Sequence, residues 1–239
     1  MLEQMAGIKK KNIDHALVLM HFDGNLNNHG VDAATITNNS LTLSTASNKF
    51  GTGAILTPSN YTNNGYLSAA SSNVNVLNEF TFECWFNYSN PINSYWDGLF
   101  SIEYTDTAYT KLYNHFFQIN NTNAYIYWQH QDGSTSYAST GIVSASTWHH
   151  FALTKKSGTI YFFYDGLILK TITEGNYTPK TISASPGFQY RMIIGNNYAI
   201  TPGLNPNNQT LNTYYDELRI GAKCKWTAPF TVPAYPYVY

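Results

Sequence analysis

Charge is scarce in this chain. Lys, Arg, Asp and Glu make up 11% of its 239 residues, less than half the usual ~25%, and the formal net charge is −1. No basic stripe exists to neutralise a phosphate backbone, so no nucleic-acid partner is expected. Cysteine is almost missing. Cys84 and Cys224 are the two thiols, too few for a disulfide framework; they form either one bridge or two free thiols. Long apolar runs are missing too. Ala16 to Met20 is too short for the core of a secretory signal, and no run of about 20 apolar residues could span a bilayer. The expectation is a chain made in the cytoplasm, without membrane insertion. Sustained helical periodicity is the last absence, and it excludes a helix-built fold.

What fills the chain instead is Asn, Thr, Ser and aromatic residues, the last at 16% with 20 Tyr. Such a surface hydrogen-bonds and stacks but does not steer ions, which suits sugar recognition. The stretch TWHHFALTKKSGTIYFFYDGLILKTI, Thr147 to Ile172, reads as three strands with turns at Ser157-Gly158 and Asp165-Gly166. Similar punctuated runs recur. Strands are expected at 16–22, near 40–44, 53–57 and 65–69, at 79–88, 98–104, 115–120, 124–130 and 136–140, and at 191–197 and 214–221. Strands of this length separated by Gly, Asn, Ser and Pro turns indicate an all-β protein, a two-sheet antiparallel jelly-roll sandwich. In TIYFFY, Ile160, Phe162 and Tyr164 share one face, and Tyr161 and Phe163 the other. Apolar groups on both faces imply a central strand covered on both sides, or one whose outer face is a ligand surface. Residues 1–15, with Lys9-Lys10-Lys11, are polar and aperiodic, a tail or an anchoring arm; residues 16–239 form the domain. The long loops 173–190 and 199–213 are either recognition loops or solvated insertions.

For ligand binding the sharpest stretch is NAYIYWQH. Tyr125, Tyr127 and Gln129 share one face of a strand, a row of aromatic and amide groups of the kind a sugar platform needs. Tyr95 and Trp96 in NSYWDG, and Asn197 with Tyr198, complete the candidate carbohydrate site. The histidines show no zinc spacing: His149 and His150 are adjacent and face opposite sides, and His115 and His130 could at most be cross-strand neighbours. No Gly-x-Ser-x-Gly elbow marks a nucleophile.

Four stretches together resemble a known family: HFDGNLNN, FTFECWF, TWHHFALTKKSGTIYFFYDG and the closing YYDELRIGAKCKWTAPFTVPAYPY. They look like a concanavalin A-like jelly roll of the laminin-G-like type, over roughly residues 16–236. The closing stretch is similar to the end of that domain in bacteriophage and prophage structural proteins. The resemblance implies two stacked antiparallel sheets and a carbohydrate- or protein-binding role without catalysis. It also implies a virion setting, with host-surface glycans, other virion proteins and a homo-oligomer as partners. Asp23 and Asp216 resemble the acidic positions that hold a structural calcium ion in related jelly rolls, with backbone carbonyls completing the shell. The same fold houses glucanases, which need carboxylates roughly 5–5.5 Å apart, two residues apart on one strand. That pair is missing here: Glu103 and Asp106 have the wrong spacing, Asp216 and Glu217 are expected to point to opposite faces, and Glu83 stands alone in its strand. The chain is therefore expected to be no enzyme. The two functional readings are a host-glycan-binding virion component and a purely structural virion protein; a secreted carbohydrate-binding module fits less well because a signal is missing.

Overall fold

The computed structural model describes residues 16–59, 65–71, 79–89, 96–105, 111–120, 123–129, 135–142, 144–173, 189–196 and 212–237. The expected N-terminal arm, Tyr95, Asp106, His130, Asn197, Tyr198 and most of both long loops lie outside them. No helix occurs among the described residues. Among the described residues, fifteen strands form two antiparallel sheets. The first sheet runs β13 (Leu167–Thr173), β12 (Thr159–Tyr164), β11 (Trp148–Lys156), β6 (Phe80–Tyr88), β15 (Thr213–Gly221), β4 (Ala54–Leu56), β3 (Thr42–Ser44), with β1 (Ala16–Met20) also on β15. The second runs β10 (Thr135–Ile142), β9 (Asn123–Gln129), β8 (Lys111–Asn120), β7 (Trp96–Thr105), β14 (Gln189–Ile194), β5 (Tyr66–Ser71), β2 (Thr35–Asn39). The jelly-roll expectation holds.

Period-two patterning explains the core. Phe80, Phe82, Cys84, Phe86 and Tyr88 of β6 pack with Phe151, Leu153, Ile160 and Phe162 on the inner side of the first sheet. Leu67, Ala69, Leu99, Met192 and Ile194 meet them from the second. The Tyr215 hydroxyl crosses between sheets and donates to the Leu99 carbonyl at 2.7 Å. The meander is built as expected: Ser157-Gly158 and Asp165-Gly166 both adopt positive φ, 49° and 74° in the first pair, 49° and 78° in the second, the geometry of two-residue hairpin turns.

One strand, β2, was not expected. The strand expected near 40–44 is the short β3, preceded by β2, and Ser40 turns between them at φ 63°. The polar sequence TITNN hid β2, which sits at the edge of its sheet and is mostly exposed.

Every residue of β6 is buried, on both faces, and the C-terminal segment 222–237 is the reason. It lies across the outer face of the first sheet. Thr81 Oγ1 donates to the Lys223 carbonyl at 2.7 Å and Thr154 Oγ1 to the Trp226 carbonyl at 2.6 Å. The Phe230 amide donates to the Gly166 carbonyl at 3.0 Å. A Cβ at Gly166 would strike the Phe230 carbonyl, so glycine there serves both the turn and the tail. Trp226 and Phe230 stack with centroids 3.7 Å apart, and Phe163 packs on Phe230 at 5.2 Å. The two apolar faces of TIYFFY are thus a strand covered on both sides. Cys84 lies in the inner core and Cys224 in the tail, both as free thiols.

Candidate functional site

The backbone register locates the expected sugar-binding positions. Met192 and Ile194 belong to the inner core, so Ile193 is on the outer face of the second sheet. Ile193 pairs with Ser101, Ser101 with Phe116, and Phe116 with Tyr127. Directly paired residues share a face, so Tyr127 is on the outer face, with Tyr125 and Gln129 two residues to either side. Trp96 pairs with Asn120, and two residues along, Gly98 pairs with Gln118, which pairs with Tyr125. By register, Trp96, Tyr125, Tyr127 and Gln129 therefore fall on one face of the second sheet. Ser101 and Ile193 on that face are buried, so it is partly covered at β7 and β14. Strand β9 lies two strands further out, beside the edge strand β10. His115 pairs with Trp128 and falls on the inner face.

The two aspartates converge on one loop. Asp216 Oδ2 accepts from the amides of Lys49 and Phe50 at 2.8 and 3.0 Å, and its Oδ1 from the Glu217 amide at 2.8 Å. Asp23 Oδ1 accepts from the Thr52 and Gly53 amides at 2.5 and 3.1 Å. The Asp23 carboxylate lies against Gly51, at φ 57°, where a Cβ would collide with it. Burial pushes the Asp216 carboxyl up to about 7, against the pull of its three amide donors. Both carboxylates thus act as amide acceptors that fix the loop. Calcium takes six to eight oxygens. Among the described residues no group of three or more His, Cys, Asp or Glu converges to hold a metal ion, so a calcium ion at Asp23 and Asp216 would need backbone carbonyls to complete its shell.

Asp216 and Glu217 do not simply alternate. A bulge interrupts β15 between Asp216 and Arg219, and Glu217 sits at φ 53°. Glu217 reaches two other segments: Oε1 is 2.7 Å from His21 Nδ1, and Oε2 accepts the Tyr237 amide at 2.8 Å. The Glu217 hydrogen bond raises the His21 pKa.

Glu83, solitary in its strand, is not solitary in space. Its Oε1 accepts from Arg219 Nη1 at 2.6 Å and Lys225 Nζ at 3.1 Å, and Oε2 is 3.3 Å from His150 Nε2. His150 Nε2 also lies 2.9 Å from Tyr237 Oη. Burial alone would push the Glu83 carboxyl up; the His150 hydrogen bond and the charges of Lys225 and Arg219 override it and hold it well below the usual range. Glu83, His150 and Arg219 are buried beneath the C-terminal segment, to which the partly exposed Lys225 belongs.

On the inner side, His149 makes different contacts. Its Nδ1 is 2.7 Å from Asp165 Oδ2 and its Nε2 is 2.9 Å from Ser144 Oγ. Asp165 Oδ1 accepts the His150 amide at 2.8 Å. Sequence reading missed this arrangement for want of a nucleophile elbow. Counting back from the Ser157-Gly158 turn, which pairs Phe151 with Tyr164, brings the histidines opposite Asp165; nothing in the sequence pointed to Ser144.

Residues 61–224 match the family described as the concanavalin A-like lectin/glucanases superfamily. A search of curated proteins finds no match. Among solved structures, the receptor binding domain of botulinum neurotoxin D is similar at TM-score 0.62 and 12% identity, over 89% of this chain and 50% of that one. The ligand binding domain of the same serotype in complex with N-acetylneuraminic acid gives TM-score 0.57 and 11% identity, over 89% and 48%. The conserved carbohydrate esterase vb_24B_21 from the Shiga toxin-encoding bacteriophage phi24B gives TM-score 0.58 and 12% identity, over 87% and 98%. The chain spans about half the length of the toxin domains. At these identities the likeness is one of fold.

Proposed function

The chain belongs to the concanavalin A-like lectin/glucanase superfamily, and from that premise we propose that it is a carbohydrate-binding adhesion protein that meets host-surface glycans as part of a bacteriophage virion. The family match over most of the chain carries the reading. Supporting it are the neutral, aromatic-rich composition and the register that brings Trp96, Tyr125, Tyr127 and Gln129 to one face of the second sheet. The phage setting is supported by one structural neighbour from a bacteriophage. Glycosidase chemistry is not part of the proposal. Three buried carboxylates are engaged elsewhere: Glu83 in an ion cluster, Asp216 and Glu217 in fixing loops.

A low-charge surface gains little from ion pairs, so specificity rests on stacking and neutral hydrogen bonds. Stacking contributes on the order of 1 kcal/mol per ring beyond area burial. Two or three such contacts, less the cost of association, give roughly millimolar single-site affinity. Adhesion then depends on many copies, which raise avidity by roughly 10²–10⁴, and a virion or a homo-oligomer provides them. The test is a glycan array on a multimeric form of the protein, with its mass in solution measured alongside. Binding to a defined set of glycans supports the reading. No binding to any glycan or host cell leaves the purely structural virion role.

A further inference from the structure

We propose that Ser144, His149 and Asp165 form an acyl-ester hydrolase site at the edge of the sandwich, separate from the outer face of the second sheet. A serine–histidine–carboxylate relay is recognised by geometry and not by chain order, and the distances here are those of a relay: 2.9 Å from Ser144 Oγ to His149 Nε2 and 2.7 Å from His149 Nδ1 to Asp165 Oδ2. The partners fix the tautomer. An ionised Asp165 only accepts, so Nδ1 carries the hydrogen, and Nε2 presents its lone pair to the Ser144 hydroxyl.

Each member is held in place. Asp165 occupies a hairpin turn at φ 49°, and its second oxygen accepts the His150 amide. The His149 ring stacks on Tyr164 at 4.9 Å and packs near Phe86 at 5.9 Å. Ser144 is exposed while His149 is 7% exposed, so the nucleophile faces solvent and the base is shielded behind it. The Ser144 carbonyl, 3.2 Å from Nε2, can accept from the imidazolium once it forms. Among the described residues, the buried Tyr164 hydroxyl has no hydrogen-bond partner.

The chemistry balances with water as co-reactant. Ser144 Oγ attacks the acyl carbon while its proton passes to His149 Nε2. The acyl–oxygen bond breaks and the departing alcohol takes that proton. Water, losing a proton to Nε2, then attacks the acyl-serine and releases the acid, which restores the hydroxyl. Ser144 and His149 are the catalytic residues, and Asp165 is a positioning residue. The substrate class is a small acyl ester of an alcohol. An O-acylated sugar as the particular substrate rests on the carbohydrate-binding reading above.

The experiment treats the full chain with a fluorophosphonate probe, maps the adduct by peptide mass spectrometry, and follows p-nitrophenyl acetate hydrolysis. Neither step needs a bound glycan, so failure of the sugar-binding reading leaves both interpretable. One adduct on Ser144 is expected, with a labelling rate that rises as one imidazole deprotonates. Ser144→Ala, at an exposed position, folds and loses the adduct. Asp165→Asn keeps an oxygen for the His150 amide but disfavours the productive tautomer; it should slow labelling at least ~10²-fold and flatten its pH profile. A folded parent protein that takes no label at Ser144 overturns the proposal, as does equal labelling of the parent and Asp165→Asn.

Discussion

Strands β12 and β9 carry similar sequences, TIYFFY and NAYIYWQ, and the fold puts them in different sheets. On β12 the outward Phe163 lies under Trp226 and Phe230 of the C-terminal segment. That segment also closes over buried Glu83, His150 and Arg219 and contributes Lys225 and Tyr237 to their cluster. On β9, the register puts Tyr125, Tyr127 and Gln129 on the outer face of the opposite sheet. Aromatic alternation along a strand therefore does not distinguish packing from recognition. The distinction depends on where the tail runs, and tail placement is decided by a few polar anchors: Thr81, Thr154, Gly166 and Glu217.

The sharpest way to break the closed side is to remove its central charge. Glu83→Ala leaves Arg219 and Lys225 buried or half-buried without their carboxylate. Breaking a buried ionic cluster from one side costs about 3–5 kcal/mol. Urea denaturation should show a loss of that order, and a loss under 1 kcal/mol would mean the tail does not depend on the cluster.

A smaller effect is expected from pH. The folded-state pKa of Asp216 is raised to about 7, so its ionisation opposes folding, and stability falls as pH rises toward and through 7. The His21 pKa is raised as well; its contribution is complete below the ordinary value of 6.5 and is lost as pH rises through the folded value. Both act in the same direction. Glu83 acts in the opposite one: its carboxyl is held low, so its contribution is present above the ordinary value of 4.5 and lost as pH falls below it. Stability should therefore peak at about pH 4, between the ordinary values of 3.8 for Asp216 and 4.5 for Glu83, and fall from there to pH 8. In Asp216→Asn the fall between pH 6 and pH 8 should shrink; an unchanged fall would assign the effect elsewhere.

The smallest expected effect is that of calcium. Asp23 and Asp216 already accept backbone amides, so millimolar calcium should leave the melting temperature where a chelator leaves it. A calcium-dependent rise, as linkage requires of any ion bound to the folded state, would restore a structural ion at these two residues.

Much of the fold was legible in the sequence because period-two patterning and Asp-Gly and Ser-Gly turns are local signals. The meander from Trp148 to Thr173 needed nothing more. What stayed hidden was non-local. Strand β2 is polar because it is an edge strand, so it lacks the alternation that a half-buried strand shows. The partners of Glu83 come from β15, β11 and the tail, more than 60 residues away in chain, and no spacing rule reaches that far. The bulge at Asp216–Arg219, which sends Glu217 to His21 and Tyr237 instead of across the sheet, likewise follows from tertiary pairing. Of the sugar-site positions, the shared face of Tyr125, Tyr127 and Gln129 follows from alternation alone. That this face is the outer one required the register through β8, β7 and β14.

The measurement that tests the comparison most directly is glycan binding of a multimeric form, set beside the melting temperature, for the parent protein, Tyr127→Ala and Trp226→Ala. Tyr127→Ala should lose most of the binding and keep the parent melting temperature. Trp226→Ala should bind like the parent and melt earlier, by an amount reflecting about 2 kcal/mol for a half-buried ring. Parent-level binding by a folded Tyr127→Ala, or binding lost in a folded Trp226→Ala, would contradict the assignment of recognition to the second sheet and packing to the first.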